Sequence, residues 1–337
     1  METMYVVEQG TFLKKNGTSL DIVKKGHLLE SLPAKDLEKL VLTGNISLSG
    51  PVMDFLIHNR VETVFLTPTG RFRARLMIDE HKHVALRKAQ YIKLENPAFK
   101  LTVMKGIVAG KLANMAWFLA RRGRDYKEPR IGAAAAGLKS LSATLDRADT
   151  PDAVRGVEGA GARIYFSVFN LLIRNNDFHF PNRNRRPPKD PVNALLSFVY
   201  TLLTNEVISA IKSCGLDPYM GSLHEIAYGR PSLACDLVEE YRCLIGDRFV
   251  LNLLNRKMVR PDDFHYRDAP VTTYADEKEM AALRPVEMKP RLYKTFIISY
   301  EELMRGPASF RRTIQTQVRS FADYLLGTEA AYQPVTF

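Results

Sequence analysis

Three short stretches in the second half of the chain carry side chains that are able to bind a divalent metal ion. They are Gly156–Gly159, Leu223–His224 and the acidic stretch Leu233–Arg242. Together they offer carboxylates and one imidazole, a set of donors that suits a hard or borderline ion such as magnesium or manganese. A metal of that kind in a basic protein points to chemistry on phosphodiesters.

The charge balance supports a polyanionic partner. The 337 residues carry a formal net charge of +11 and have a sequence pI of about 9.5, so nucleic acid is the first partner to consider. The alternative is a basic enzyme with an ordinary solvated surface. The length is sufficient for two domains, each with its own hydrophobic core.

The cysteines and the hydropathy of the chain indicate the cellular compartment in which the protein is expected. Cys214, Cys235 and Cys243 lack the paired spacing of zinc ligands, and three is an odd number, so a reduced cytoplasmic setting is expected. The N-terminus shows no signal peptide, and the apolar runs look too short or too interrupted to span a bilayer, which predicts no membrane association.

Residues 1–80 predict a β-rich domain. The pair Asn16-Gly17 lies between two β-prone runs and predicts a hairpin in which both central residues have positive φ. Further strands are expected at 40–42, 63–66 and 71–76, with a short helix over Pro51–Asn59.

The hydrophobic period becomes helical from about Lys82, and we assign residues 81–100 to a linker. Residues 101–337 then predict an all-helical catalytic domain. Its long amphipathic helix covers Leu101–Arg121, a basic loop covers Asp177–Asp190, and further helices cover Val192–Ser213 and Pro307–Leu326. The predicted fold class is therefore α+β, a small N-terminal β-rich domain followed by a larger all-α C-terminal catalytic domain.

The acidic residues of the three stretches allow more than one interpretation. We place Glu158 at the start of a helix whose three glycines are explained either by close approach of DNA or another backbone, or by tight helix packing. Asp236, Glu239 and Arg242 share one helical face, which also fits a surface stripe of ion pairs. A single histidine such as His224 is more often structural than a ligand.

The order of the motifs is more informative than any one of them. The chain resembles the CRISPR-associated integrase family, the catalytic subunit of the spacer-acquisition complex. The segments that carry this resemblance are Arg155–Gly159, Asp190–Ser197, Gly215–Pro218, Leu223–His224, Leu233–Arg242, Phe249–Arg256 and Asp263–Phe264. The resemblance implies an N-terminal β-domain, a larger helical domain, and a homodimer joined partly through the β-domains.

The resemblance also implies the metal ligands. The catalytic and metal-binding residues of the family correspond here to Glu158, His224 and Glu239, with Mg²⁺ or Mn²⁺ as the cofactor. Asp236 is the second choice for the acidic ligand. Which of Asp236 and Glu239 contacts the metal is open at this point, and we favour Glu239.

The implied reaction joins the 3′-hydroxyl ends of spacer precursor DNA to the CRISPR repeat by transesterification, with a related endonuclease activity. The implied partners are double-stranded and branched DNA and a small second CRISPR adaptation protein. The alternatives are a metal-dependent nuclease or resolvase of branched DNA outside CRISPR immunity, and a non-enzymatic architectural DNA-binding protein.

Basic and aromatic residues complete the prediction. Arg163, Tyr165 and Arg242 are expected to contact the substrate near the site. Phosphate neutralisation without sequence reading is expected from a second group: Arg183, Arg185, Arg186, Arg311 and Arg312.

Overall fold

The computed structural model describes residues 2–67, 72–76, 82–184, 188–266, 286–307 and 309–336. The chain divides into two compact units. A strand-rich unit consists of Met1–Glu80, Asp263–His265 and Glu287–Met304, and a helical unit consists of His81–Asp262, Tyr266–Val286 and Arg305–Phe337.

Two four-stranded sheets form the strand-rich unit. The first contains β1 (Glu2–Val6), β5 (Leu37–Thr43), β7 (Glu62–Leu66) and β8 (Phe72–Leu76), in that order across the sheet. Its first three strands are parallel, and β8 is antiparallel to β7. The second contains β4 (His27–Pro33), β3 (Ser19–Lys24), β2 (Thr11–Asn16) and β6 (Ile46–Leu48), with β6 parallel to β2 and the other pairs antiparallel.

The predicted hairpin is present, but its turn differs from the prediction. Asn16 pairs with Ser19 across β2 and β3, so the central residues are Gly17 and Thr18. Of the two, Gly17 alone has positive φ, at 58°. Asn16 is the last residue of β2, and its side chain donates a hydrogen bond to Asp21, at 2.9 Å.

One helix inside the strand-rich unit and one from the C-terminal part of the chain complete its core. Helix α1 (Gly50–His58) buries Val52, Phe55 and Leu56, as predicted. Most of helix α9 (Pro290–Arg305) belongs to this unit, where the Tyr293 hydroxyl lies 3.0 Å from Thr43 Oγ1. The expected assignment of all of 101–337 to one helical domain is therefore wrong for α9, because its apolar face packs with the strand-rich unit. A short two-stranded sheet of β9 (Phe264–Tyr266) and β10 (Val286–Met288) precedes α9.

The helical unit is built around the 30-residue helix α3 (Pro97–Tyr126). Buried Val103, Ile107, Met115 and Phe118 confirm its amphipathic pattern. The other helices of the unit are α2 (Val84–Glu95), α4 (Pro129–Ser142), α5 (Pro151–Ser167), α6 (Pro191–Cys214), α7 (Ser232–Tyr241), α8 (Arg248–Asn255) and α10 (Phe310–Leu326). A π-helical turn, Arg242–Asp247, joins α7 to α8. A strand-rich N-terminal region followed by a mostly helical region is the α+β class that the sequence predicts.

The linker predicted at 81–100 is wrong, because helix α2 and the start of α3 occupy it. The buried Gln90 side chain of α2 donates to the carbonyl oxygens of Asp217 and Met220, at 2.8 and 2.9 Å. It also accepts from the Asp217 N–H, at 2.8 Å. Helix α2 therefore holds the loop that leads to His224.

Helix α6 is the apolar centre of the helical unit. Contrary to the expectation from sequence, its length and composition would allow it to cross a membrane, but 72% of its most apolar window is buried within the protein. That degree of burial is typical of a core helix. Gly215, with φ of 94°, ends α6 as predicted, and its N–H donates to the carbonyl oxygens of Ile211 and Lys212.

Candidate active site

Helix α5 carries Glu158 in its middle and not at its start. The helix begins at Pro151, where the Thr150 hydroxyl caps the Ala153 N–H at 3.2 Å. The placement of Glu158 in a first turn is therefore wrong, because the sequence signal for the cap lies eight residues earlier.

The glycines around Glu158 have different roles. A Cβ atom at Gly161 would overlap Leu112 of α3, so glycine at this position allows α5 and α3 to pack closely. A Cβ atom at Gly156 would meet open space. Tight helix packing, one of the two predicted explanations, therefore holds at Gly161. This close packing brings Glu158 next to the residue that precedes Leu112.

That residue is Lys111, and its ammonium group lies between two carboxylates from different helices. The Lys111 Nζ atom contacts Glu158 Oε1 of α5 and lies 2.6 Å from Glu239 Oε2 of α7. The Lys111 side chain is 4% exposed and that of Glu239 is 2% exposed. Such a buried group of charges persists only when the charges are paired. Glu158 and Glu239 thus converge on one cation.

The electrostatics of Glu239 keep it ionised. Burial raises the pKa of Glu239, but its interactions with Arg242, Lys111 and His224 lower it by more, and the resulting pKa is about 2. Arg242 Nη1 lies 2.7 Å from Glu239 Oε1. The other oxygen, Oε2, is buried and is paired with the Lys111 ammonium.

Asp236, unlike Glu239, is hydrogen-bonded to the backbone of a loop. Its Oδ2 atom accepts from the N–H groups of Ser222 and Leu223 at 2.6 and 3.0 Å, and from the Ser222 hydroxyl at 3.2 Å. Its Oδ1 atom accepts from the His224 N–H, at 2.8 Å. A Cβ atom at Gly221 would lie 2.7 Å from Asp236 Oδ2, so glycine there lets the loop reach the carboxylate. Asp236 therefore fixes the loop that carries His224.

The imidazole of His224 is oriented by the same carboxylate. Its Nδ1 atom lies 2.8 Å from Asp236 Oδ1, and because an ionised carboxylate only accepts, Nδ1 is the donor. When the imidazole is neutral, its lone pair is therefore on Nε2. The Nε2 atom lies 4.0 Å from Glu239 Oε1. Arg155, three residues before Glu158, donates from Nε to the Leu223 carbonyl oxygen at 3.0 Å and ties this loop to α5.

These positions decide between the interpretations of the acidic face. Asp236 and Glu239 are 0% and 2% exposed, so a solvated stripe of surface ion pairs is wrong. The oxygens of Asp236 accept from three backbone N–H groups and two side chains, whereas those of Glu239 are paired with the side-chain cations Lys111 and Arg242. Of the two, Glu239 is the better candidate for an acidic ligand.

The residues present fit a divalent cation in their chemistry. Two carboxylates and an imidazole with its Nε2 lone pair available form a donor set for magnesium or manganese. The Oε2 atom of Glu239 already binds a cation here, the Lys111 ammonium at 2.6 Å. Among the residues that the structure describes, no three histidine, cysteine or acidic side chains lie close enough together to bind a metal ion, and Lys111 lies between the two glutamates.

A buried polar group lies beside the site. Asp247, at the end of the π-helical turn, accepts from the Tyr165 hydroxyl at 2.9 Å and from the Tyr200 hydroxyl. Burial raises the pKa of Asp247 to about 6, although both tyrosines act in the opposite direction. Tyr165 is 0% exposed. The prediction that Tyr165 contacts DNA directly is wrong, because its ring is in the core and its hydroxyl is bonded to Asp247.

The predicted DNA-binding arginines fall into three groups. Three are engaged within the helical unit: Arg242 with Glu239, Arg183 with Asn193 and Ser197, and Arg311 with Glu206. The guanidinium groups of Arg183 and Arg242 both lie over the Tyr200 ring, at 5.3 and 5.0 Å. Arg163 and Arg312 are exposed, and Arg185 and Arg186 lie outside the described residues. Direct DNA contact by these arginines stays a prediction.

The C-terminal segment reaches the back of the site, which the sequence did not indicate. Glu240, the neighbour of Glu239, accepts from the Tyr332 hydroxyl and from the Val335 N–H, the latter at 2.7 Å. Asn114 of α3 donates to the carbonyl oxygens of Glu240 and Val335, at 3.0 and 2.7 Å. Burial raises the pKa of Glu240 to about 8. The tail therefore holds the end of α7 from behind.

Lys111 was also missed, although the sequence contains a signal for it. Lys111 lies four residues after Ile107 and four residues before Met115, so it shares the apolar face of α3 with them. A hydrophobic residue is expected at such a position. A lysine at such a position needs a buried carboxylate partner, and Glu158 and Glu239 are the partners.

Comparison with known proteins agrees with this architecture. Residues 4–283 match the family model described as CRISPR associated protein Cas1. The chain is 38% identical to the CRISPR-associated endonuclease Cas1 1 of Chlorobaculum tepidum over 312 residues, which cover 90% of this chain and 86% of that protein. It is 34% identical to the CRISPR-associated endonuclease Cas1 3 of Thermus thermophilus, covering 98% and 96% of the two chains.

Solved structures share the fold at lower identity. A Cas1 protein from Thermotoga maritima superposes with a TM-score of 0.82 at 24% identity, covering 98% of this chain and 99% of that chain. A casposase bound to integration product gives 0.81 at 22% identity, covering 99% and 93%. A chain of a Cas6-RT-Cas1–Cas2 complex gives 0.84 at 19% identity, and this chain covers 36% of its length. The family match and the relatives establish that the chain belongs to the Cas1 family, whose curated relatives are named CRISPR-associated endonucleases.

Proposed function

We propose that this chain is a divalent-metal-dependent DNA integrase of CRISPR adaptation. It joins the 3′-hydroxyl ends of spacer precursor DNA to the CRISPR repeat by transesterification and has a related DNA endonuclease activity. The names of its relatives, which are endonucleases, and the fold shared with a casposase bound to integration product support this proposal.

One observation carries the proposal. Glu158 and Glu239 come from different helices, are separated by 81 positions in the chain, and contact the same ammonium nitrogen of Lys111. Two carboxylates that converge in this way form a position with high affinity for positive charge. The Nε2 atom of His224, 4.0 Å from Glu239, adds a nitrogen donor to the same position.

The residues that would hold the metal are Glu158, Glu239 and His224, and the ion is Mg²⁺ or Mn²⁺. Asp236, the second choice from the sequence, orients His224 instead. When bound, such an ion polarises the attacking 3′-hydroxyl and neutralises charge on the phosphoryl oxygens.

The protein's own groups prepare the position for that chemistry. A pKa of about 2 keeps Glu239 ionised at neutral pH. The Asp236 carboxylate holds the proton of His224 on Nδ1 and leaves Nε2 available. Lys111 and Arg242 bring two positive charges to the site, where they stabilise the extra negative charge of a phosphodiester under attack. Since transesterification exchanges one phosphodiester for another, it needs no nucleotide as an energy source.

The partners belong to the same proposal. Double-stranded and branched DNA are the substrates, and the protein acts as a homodimer joined partly through the strand-rich units. A small second CRISPR adaptation protein assembles with it, as Cas2 does in the named complex that shares this fold. A cytoplasmic setting agrees with the three cysteines, which are free thiols.

The burial of Asp236 and Glu239 argues against a purely architectural DNA-binding protein, because surface ion pairs would leave both carboxylates exposed. A plain nuclease or resolvase of branched DNA outside CRISPR immunity uses the same donors. It differs in the product, since it cuts the branched strand and leaves the target strand open.

A labelled branched DNA that mimics a half-integrated spacer separates these functions. The purified chain is incubated with it in manganese buffer, with EDTA as the metal control. Glu158→Gln tests the site, and Glu95→Gln, an exposed carboxylate on α2, is the matched control. We expect metal-dependent release of the flap with resealing of the target strand, lost in Glu158→Gln and retained in Glu95→Gln. Cutting without resealing supports the plain nuclease, and full activity of Glu158→Gln contradicts the site.

A further inference from the structure

Four arginines from three elements meet at the C-terminal end of helix α3. They are Arg121 and Arg122 of α3, Arg174, and Arg248 at the start of α8, and we call them the arginine cluster. The guanidinium carbons of Arg122 and Arg174 lie 5.9 and 5.0 Å from the Tyr126 ring centroid, so they are no more than about 11 Å apart. The pKa of Arg248 is lowered by partial burial and by the charges of Arg122 and Arg121.

The positive charge of the cluster is poorly balanced by the protein. In the part of the chain that the structure describes, the one carboxylate in ion-pair distance is Asp125, which is half-exposed and 3.7 Å from Arg122. Arg130, by comparison, is exposed but makes a two-pronged pair with Glu128, at 2.9 and 3.0 Å. Like charges that are held together without partners repel one another, and an external anion relieves that repulsion.

Three of the four guanidinium groups lie over aromatic rings. Arg122 and Arg174 both use the Tyr126 ring, and Arg121 lies over Trp117 at 5.7 Å. A guanidinium that lies over a ring retains N–H donors that can bind a phosphate in a bidentate manner. The Arg174 N–H is bonded to Asn255 Oδ1 at 2.7 Å, which fixes its backbone.

Helix geometry relates the cluster to the catalytic position. Arg122 follows Lys111 by eleven residues, which is about three full turns and roughly 16 Å along α3. The two residues therefore lie on the same side of the helix. Arg248 follows Glu239 by nine residues along α7 and the π-helical turn. At about 3.4 Å of duplex axis per phosphate of one strand, 16 Å corresponds to four or five phosphates.

We propose that the arginine cluster binds the phosphodiester backbone of the DNA strand that continues from the active site, four or five phosphates from the reacting one. This inference rests on the proposed function, since it takes the substrate to be DNA. Contacts of this type position the strand and do not read its sequence. None of the four arginines is among the substrate contacts expected from the sequence.

Binding without chemistry tests the cluster separately from the proposed reaction. The double variant Arg174→Gln/Arg248→Gln is compared with the wild-type chain and with Arg130→Gln, the paired arginine. Fluorescence anisotropy in EDTA measures the Kd of a labelled branched DNA over a range of salt concentrations. We expect about a tenfold weaker Kd at low salt and a salt slope that is smaller by roughly 0.7 to 0.9 for each lost phosphate contact. Arg130→Gln keeps the wild-type Kd and slope.

A chemical change in the DNA locates the contact. Neutral methylphosphonate linkages at the fourth and fifth phosphates should weaken wild-type binding and have no further effect on the double variant. The charge-preserving variant Arg174→Lys/Arg248→Lys should retain most of the salt slope. The same Kd and slope in wild type and Arg174→Gln/Arg248→Gln would overturn the inference, as would equal weakening of both proteins by the neutral linkages. Because no metal is present, neither result depends on whether the chain joins DNA.

Discussion

The Lys111 ammonium lies 2.6 Å from Glu239 Oε2 and also contacts Glu158, so one lysine of α3 links the carboxylates of α5 and α7. A buried lysine in this position stabilises two glutamates that would otherwise repel each other. It also competes with any metal ion for the same oxygens.

The variant Lys111→Met tests this competition. Without metal, the free energy of unfolding should fall by about 3 kcal/mol, because the buried Glu239 loses a partner. Removal of the competing charge should tighten Mn²⁺ binding at least tenfold. Urea unfolding and isothermal titration measure the two effects, with Lys139→Met, an exposed lysine of α4, as the control. Unchanged or weaker Mn²⁺ binding would contradict the competition.

A pair of glycines on α5 tests the packing that places Glu158. Gly161→Ala introduces a methyl group that overlaps Leu112, which should destabilise the fold by about 1–3 kcal/mol and slow DNA joining. Gly159→Ala adds the same group where the nearest atom is Arg163 Nη1, at 4.0 Å, and should stabilise the helix by up to about 1 kcal/mol. The thermal unfolding temperatures of the two variants should therefore move in opposite directions, and the joining rate should fall in Gly161→Ala. Similar behaviour of both would show that α3 and α5 tolerate a wider separation.

Asp247 makes stability depend on pH. Its pKa is about 6 in the folded protein against 3.8 as the ordinary value, so the folded chain retains a proton that the unfolded chain has lost. This contribution is complete below pH 3.8 and is lost as the pH rises through 6. Asp247→Asn should flatten the dependence of unfolding free energy on pH between 4 and 6, by about 1.4 kcal/mol per pH unit at most. Urea titrations at several pH values measure it, and parallel curves for the two proteins would mean that Asp247 titrates normally.

The tail should support the active site through Glu240. Tyr332→Phe removes the hydroxyl that is hydrogen-bonded to this buried carboxyl group, and the cost in free energy of unfolding should be about 1–3 kcal/mol. Tyr228→Phe removes a hydroxyl from a fully exposed ring and should change the stability by less than about 0.5 kcal/mol. Equal unfolding free energies for the two variants would show that the hydrogen bond from Tyr332 to Glu240 does not stabilise the fold.

Local patterns in the sequence were sufficient for most of the fold. The hairpin of β2 and β3, helix α1 and the long helix α3 all follow from period and turn residues. Helix α2 does not follow from the local pattern, because its buried face contains Leu86, Gln90 and Leu94, and the polar Gln90 interrupts the apolar period. The return of α9 to the strand-rich unit depends on contacts over more than 200 residues, such as Tyr293 with Thr43, which local periodicity does not contain.

The residue types of the candidate site were predictable from the sequence, but the pairing of its buried charges across helices was not. The motif order selected Glu158, His224 and Glu239, and the structure brings Glu158 and Glu239 to one cation. The roles of Lys111 and Glu240 depend on which buried charges face each other across helices. A buried lysine on an apolar stripe indicates that a partner exists, but the sequence alone does not identify Glu158 and Glu239 as that partner.

The central claim is that Glu158 and Glu239 form one cation-binding position, and Mn²⁺ titration followed by electron paramagnetic resonance tests it most directly. The measurement compares wild type, Glu158→Gln, Glu239→Gln and the exposed control Glu95→Gln. We predict one tightly bound Mn²⁺ per chain in wild type and Glu95→Gln, and affinity at least tenfold weaker in each of the other two variants. Tight Mn²⁺ binding that survives in either Glu158→Gln or Glu239→Gln would contradict the shared position.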